Sequence, residues 1–218
     1  MGNKYIFLLG LLLLLGITGL KYMDCYRDCD VIVDKEWTHN GENTYWCKDV
    51  KIPRGAKKVC DGAFADCKAL EHVSFPRSMI TIGENAFKNC KNLASVAIPE
   101  KVDTIGKEAF SGCELLQKVE LPETLKFLGE KAFYNCLTIK TIRIPEGVDS
   151  IRKETFYCCF SLTEVILPTT LKFIGEDAFA GCVSLESMEI PENVDSIAPG
   201  AFGGCAALRN VKLPKSLE

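Results

Sequence analysis

The chain has 218 residues, a formal net charge of −3, and ordinary apolar (47%) and charged (25%) fractions. That balance excludes disordered and collagen-like chains. Lys and Arg are interleaved with Asp and Glu, so the basic stripe that nucleic-acid binding requires is missing and no nucleic-acid partner is expected.

The N-terminus reads as an export signal. Lys4 precedes sixteen mostly apolar residues, Tyr5 to Leu20, with a run of leucines from Leu11 to Leu15. This is signal-peptide length and slightly short for a membrane span. Residues 1–20 are therefore read as a signal peptide or signal anchor. No clean A-x-A cleavage site follows Gly16, Thr18 and Gly19, so an uncleaved signal anchor is the alternative and the only expected route to a membrane. Tyr22-Met23-Asp24 before Cys25 does not fit a bacterial lipoprotein, and Ile6 does not fit N-myristoylation. The expected localisation is secreted or cell surface.

Residues 21–48 differ in composition from the remainder of the chain. Asp24, Asp28, Asp30, Asp34, Glu36 and Glu42 alternate with aromatics and cysteines around one strand candidate, Val31-Ile32-Val33. The segment reads as an N-terminal cap, with Trp37, Tyr45 and Trp46 as apolar anchors over the first turn of a solenoid. The rival reading is an exposed aromatic recognition patch.

From residue 49 to 218 the chain repeats every 23 residues. Phe64, Phe87, Phe110, Phe133, Phe156, Phe179 and Phe202 are each followed three positions later by Cys67, Cys90, Cys113, Cys136, Cys159, Cys182 and Cys205. A proline recurs at the same period from Pro53 to Pro214, without insertion or deletion. Such a fixed period predicts one solenoid domain of about seven turns, ending in mid-repeat.

Within one turn, Leu93, Val96 and Ile98 fall at the inward spacing of a short strand that Pro99 stops. Val102 and Ile105 follow, Gly106 permits a turn, and Ala109-Phe110 faces the interior. Each turn thus contributes one parallel β-strand, the phenylalanines stack in a spine, and the cysteine ladder packs inward as structural thiols. The other side of each turn is expected to be irregular or short helical or 3-10. The fold class is an α/β-type solenoid.

The pattern L-x-x-[VI]-x-[IL]-P-x-x-[VL]-x-x-I-G-x-x-A-F-x-x-C, carried by Leu93, Val96, Ile98, Pro99, Val102, Ile105, Gly106, Ala109, Phe110 and Cys113, resembles the BspA-like leucine-rich repeats. Departures are Thr155 for the alanine, Arg152 and Ala198 for the glycine, and Ile139 for the leucine. The resemblance implies a leucine-rich-repeat horseshoe or twisted rod, displayed outside the cell and used for adhesion to other proteins.

Outward strand positions form two rows on the expected concave face. One holds His72, Ser95, Lys118, Thr141, Glu164, Ser187 and Asn210; the other holds Ser74, Ala97, Glu120, Arg143, Ile166, Glu189 and Lys212. Mixed charged and small residues on a rigid sheet suit a protein ligand, and no aromatic stripe suggests carbohydrate or single strands. A 46-residue super-repeat sets Asp103, Asp149 and Asp195 against Lys126 and Lys172. It reads as duplication of a two-turn unit, with Phe127 and Phe173 as paired binding knobs in the alternative reading.

Of the 12 cysteines, Cys25, Cys29, Cys47, Cys60 and Cys158 stand outside the ladder. Disulfides are expected among Cys25, Cys29, Cys47 and Cys60, with three possible connectivities. A zinc site from Cys25, Cys29, Cys47 and His39 is disfavoured by its spacing and the exported context, so no metal and no cofactor is expected. With two histidines, His39 and His72, and no nucleophile elbow or Gly-rich loop, the chain reads as non-enzymatic. A structural role, self-association through the C-terminal end, is the alternative to a binding module.

Overall fold

The computed structural model describes residues 48–217. They form a stack of turns, each carrying two short parallel strands. The longer strands are β1 (Asp49–Lys51), β3 (His72–Ser74), β5 (Ser95–Ala97), β7 (Lys118–Glu120), β9 (Thr141–Arg143), β11 (Glu164–Ile166), β13 (Ser187–Glu189) and β15 (Asn210–Lys212). The shorter are β2 (Lys58–Val59), β4 (Thr81–Ile82), β6 (Thr104–Ile105), β8 (Phe127–Leu128), β10 (Ser150–Ile151), β12 (Phe173–Ile174) and β14 (Ser196–Ile197). Pairing is parallel and in register at 23 residues, as in Val96 with Val119 and Ile82 with Ile105.

The expected strand in each 23-residue turn is present as the longer one. The shorter strand adds a second ladder that the hydrophobic pattern does not announce, because two residues carry no readable alternation. Helix is nearly absent: the 3-10 turn Lys215–Leu217 is the one helical element among the described residues. No helix among them is long and apolar enough to cross a membrane.

The side bearing the phenylalanines consists of successive turns tied together by a third backbone ladder. Phe87 N–H donates to Ala109 O at 2.8 Å, Asn85 to Lys107 O at 2.8 Å and Asn89 to Ser111 O at 2.7 Å. Between these, Ala86, Lys88 and Cys90 close bonds three residues back within their own turn. The alternation requires left-handed backbone two residues before and after each phenylalanine, as at Asn85 (φ 53°) and Asn89 (φ 59°). That explains Asp66, Asn89, Gly112, Asn135, Gly181 and Gly204 two residues after the ring, since Asn, Asp and Gly tolerate this conformation best. Cys158 (φ 55°) holds the same position in its own turn.

The core runs through the stack. Leu93, Val102, Ile105, Ala109, Phe110, Cys113 and Leu116 have no solvent exposure. Successive rings stack with centroids 5.2 to 5.6 Å apart and nearly parallel planes. Each thiol from Cys90 onward donates to the carbonyl of the phenylalanine one turn back, from Cys90 to Phe64 O at 3.0 Å through Cys205 to Phe179 O at 3.2 Å.

Both strand ladders break at one boundary. β7 does not pair with β9, and β8 does not pair with β10. The longer ladder is interrupted again between β11 and β13. Three of the four departures from the repeat, Ile139, Arg152 and Thr155, fall in the turn that starts at Ile139 and carries β9 and β10. Gly83, Gly106, Gly129 and Gly175 in the Arg152 column lie against the preceding turn, and a Cβ on Gly129 would stand 2.5 Å from the Gly106 carbonyl carbon. Arg152 carries that Cβ, as does Ala198, whose amide still donates to Ile174 O at 2.8 Å. Gly129 N–H donates to Ile105 O and Gly175 N–H to Ile151 O, whereas the Arg152 amide makes no such bond among the described residues. Thr155 is fully buried, and its hydroxyl is satisfied by donating to Arg152 O at 2.9 Å.

The Arg152 amide is therefore expected to exchange with solvent about fivefold faster than the Gly175 amide, the value of one backbone hydrogen bond. Hydrogen exchange on the wild type and on Arg152→Gly checks this. The variant should slow exchange across Ile151 and residue 152 by a similar factor.

Candidate ligand-binding surface

The longer-strand ladder fixes which side chains are displayed. In β5, β7, β9 and β13 the middle residue is buried and both neighbours are exposed. Strand alternation thus turns Ser95, Lys118, Thr141, Ser187, Ala97, Glu120, Arg143 and Glu189 outward. His72, Ser74, Glu164, Ile166, Asn210 and Lys212 are exposed in the same two rows, above half-buried Val73 and Val165 and, in β15, beside exposed Val211.

Charge on this face is paired locally. Lys118 Nζ meets Glu120 Oε1 at 2.7 Å, Arg143 Nε lies 3.6 Å from Glu123 Oε1, and Lys212 bonds Glu189. Donating a hydrogen bond to Glu120 holds the Lys118 ammonium above its usual pKa, and donating to Glu189 does the same for Lys212. These pairs are solvent-exposed and contribute little to stability. Ile166, 47% exposed, is the one aliphatic side chain larger than alanine in either outward row. His72 has no other histidine near it among the described residues, and no metal-holding cluster occurs among them.

A second concavity of about 770 Å³ lies on the shorter-strand face. Ser150, Arg152, Phe173 and Gly175 contribute to its wall and floor, with Glu130, Glu176 and Asp177 at its rim. Phe173, one of the alternative knobs of the super-repeat, lines it and is 38% exposed, and Phe127, the other, is 39% exposed outside it. The Arg152 guanidinium lies over the Phe127 ring at 4.5 Å. Sequence reasoning found both rings but not this groove. Its signal was the arginine in a glycine column.

The phenylalanine and cysteine columns lie in the interior from Phe64 to Cys182, and Phe202 and Cys205 at the last turn are half-buried. Burial pushes the thiols of Cys90, Cys113, Cys136, Cys159 and Cys182 far above the usual 9.0. These cysteines are free thiols. Cys60 is disulfide-bonded, to a cysteine outside the described residues. Cys25, Cys29 and Cys47, the cap anchors Trp37, Tyr45 and Trp46, and the leader also lie outside the described residues.

A raised thiol pKa stabilises the fold fully below the unfolded value of 9.0, and that contribution fades as pH rises above it, because only the unfolded chain ionises. Urea midpoints are expected to fall between pH 8.5 and 10.5, and to fall less in a Cys113→Ala, Cys136→Ala variant.

Comparison with known proteins places this geometry. The sequence pattern described as BspA type Leucine rich repeat region matches residues 42–160 and 149–218, in 6 copies. A leucine rich cell surface protein from Faecalibacterium prausnitzii is similar at 30% identity and TM-score 0.69, over 83% of this chain and 54% of its own. A leucine-rich repeat protein from Bacteroides ovatus shares 33% identity over 78% of this chain and 55% of its own, with TM-score 0.49. One from Eubacterium ventriosum shares 23% identity and TM-score 0.50, over 77% of this chain and 60% of its own. The chain thus spans between half and two thirds of the length of these relatives. No curated protein sequence matches it.

Proposed function

Because the chain belongs to the BspA-type leucine-rich-repeat family, we propose that it is an exported, cell-surface, non-enzymatic module that binds another protein through its longer-strand face, in an adhesion role. The observation that carries this reading is the division of each longer strand into one buried and two displayed residues, repeated in register along the stack. A fixed ladder with varied displayed side chains binds without the entropy cost of ordering loops.

The apolar leader and the surface description of the Faecalibacterium relative support export. The reading requires neither metal nor cofactor.

Ile166, flanked by Arg143 and Glu189 in its row, is the expected centre of the contact, since buried apolar anchors ringed by polar groups dominate protein interfaces. Binding to an array of extracellular proteins tests the reading. Ile166→Asp is expected to weaken a positive interaction at least tenfold, with Lys101→Glu, outside the longer-strand rows, leaving it intact. A ligand insensitive to Ile166→Asp, Arg143→Glu and Glu120→Lys contradicts the choice of face.

A further inference from the structure

We infer that the groove beside Arg152, on the shorter-strand face, is a second binding site, for an aromatic side chain flanked by basic residues on a protein partner. It is separate from the longer-strand face and does not depend on that proposal.

Two departures from the repeat build the site. Gly175 forms a bare floor between Arg152 and Ala198, two positions at which this glycine column carries side chains. A Cβ on Gly175 would stand 2.7 Å from the Arg152 carbonyl carbon. Arg152 forms one wall and Pro199 the other. Phe173, two residues before the floor on the same turn, leaves its ring 38% exposed beside Ser150, its small neighbour in the adjacent strand. Arg152 has the Phe127 ring beneath its guanidinium at 4.5 Å, which holds the planar group in place before any ligand arrives.

The chemistry of the wall selects the ligand. The exposed Phe173 ring offers offset stacking to one aromatic side chain, in a groove that Arg152 also lines. Charge selects what flanks it. Lys153 is taken by Glu176 at 2.8 Å, and Arg152 is committed to the Phe127 face. Glu130 and Asp177 make no ion pair among the described residues, so the rim presents net negative charge. Basic neighbours on the ligand complement it.

Amide NMR of the full chain, titrated with the peptide acetyl-Lys-Trp-Lys-amide, tests the site. Saturable shifts are expected at Arg152, Phe173 and Gly175. Acetyl-Lys-Ala-Lys-amide should produce none of them, and acetyl-Glu-Trp-Glu-amide should bind several-fold more weakly. F173S should weaken binding about tenfold, the upper range of an aromatic contact. That variant is compatible with the fold, since Ser150 and Ser196 occupy the same column. R152K, which keeps the charge but not the plane, should also weaken it. An equal response to the alanine peptide, shifts confined to other residues, no saturation, or indifference to F173S overturns the aromatic site. Equal affinity for the acidic peptide overturns its basic flank.

Discussion

The structure depends on the joint between successive phenylalanines. At each boundary a buried ring stacks on the next, the phenylalanine amide donates to the following turn, and a thiol donates to the carbonyl of the ring one turn back. Each fully buried ring contributes roughly 1.5–3 kcal/mol by leaving water, and stacking adds about 0.5–1.5 kcal/mol. The joint is continuous from Phe64 to Phe202, whereas neither strand ladder is. Where β7 and β9 and also β8 and β10 fail to pair, the stack continues through Phe133, Phe156 and Cys159. There the ring separation, 5.6 Å, and the thiol distance, 3.3 Å, are the widest of the series.

This joint explains the choice of residues. A carbonyl of the phenylalanine column has its in-plane neighbour on one side and needs a donor small enough to fit inside the core. Cysteine supplies a weak donor in a small, apolar side chain. Serine is nearly the same size but would bring a hydroxyl whose own acceptors need partners in a dry interior. The same burial that places the thiol holds its proton, so the ladder is chemically quiet.

Much of this was legible in the sequence because 23-residue periodicity and inward spacing act together. Leu93, Val96 and Ile98 announce a strand stopped by Pro99, and the Phe-x-x-Cys interval announces the joint. The shorter strands were not legible: Thr81–Ile82 or Ser150–Ile151 is too brief to show alternation, and pairing comes from stacking rather than from propensity. The left-handed positions were readable in part. Asn89, Gly112 and Asn135 signal them, but Glu108, Lys131 and Glu154 adopt positive φ with no preference for it, held there by the third ladder. At the displayed face the rows were readable and their local ion pairs were not, since Arg143 reaches a glutamate outside the strands. Arg152 shows the reverse case. Its departure from glycine was visible as a misfit, and only the fold shows what accompanies it, an open ladder boundary and a groove.

The two proposed surfaces differ accordingly. The longer-strand face arises from the regular part of the repeat and is shaped by every turn. The groove arises from its irregular part and exists at one turn. Both rely on a stack whose turns stay in register, and at the boundary before Arg152 that register rests on the phenylalanine joint. Equilibrium urea unfolding of Phe156→Leu beside Phe110→Leu tests this most directly, followed by fluorescence and circular dichroism together. If the joint carries the boundary, Phe110→Leu keeps one transition at a lower midpoint, and Phe156→Leu splits unfolding into two transitions that the probes report separately. A single transition with equal midpoint loss in both variants contradicts the account.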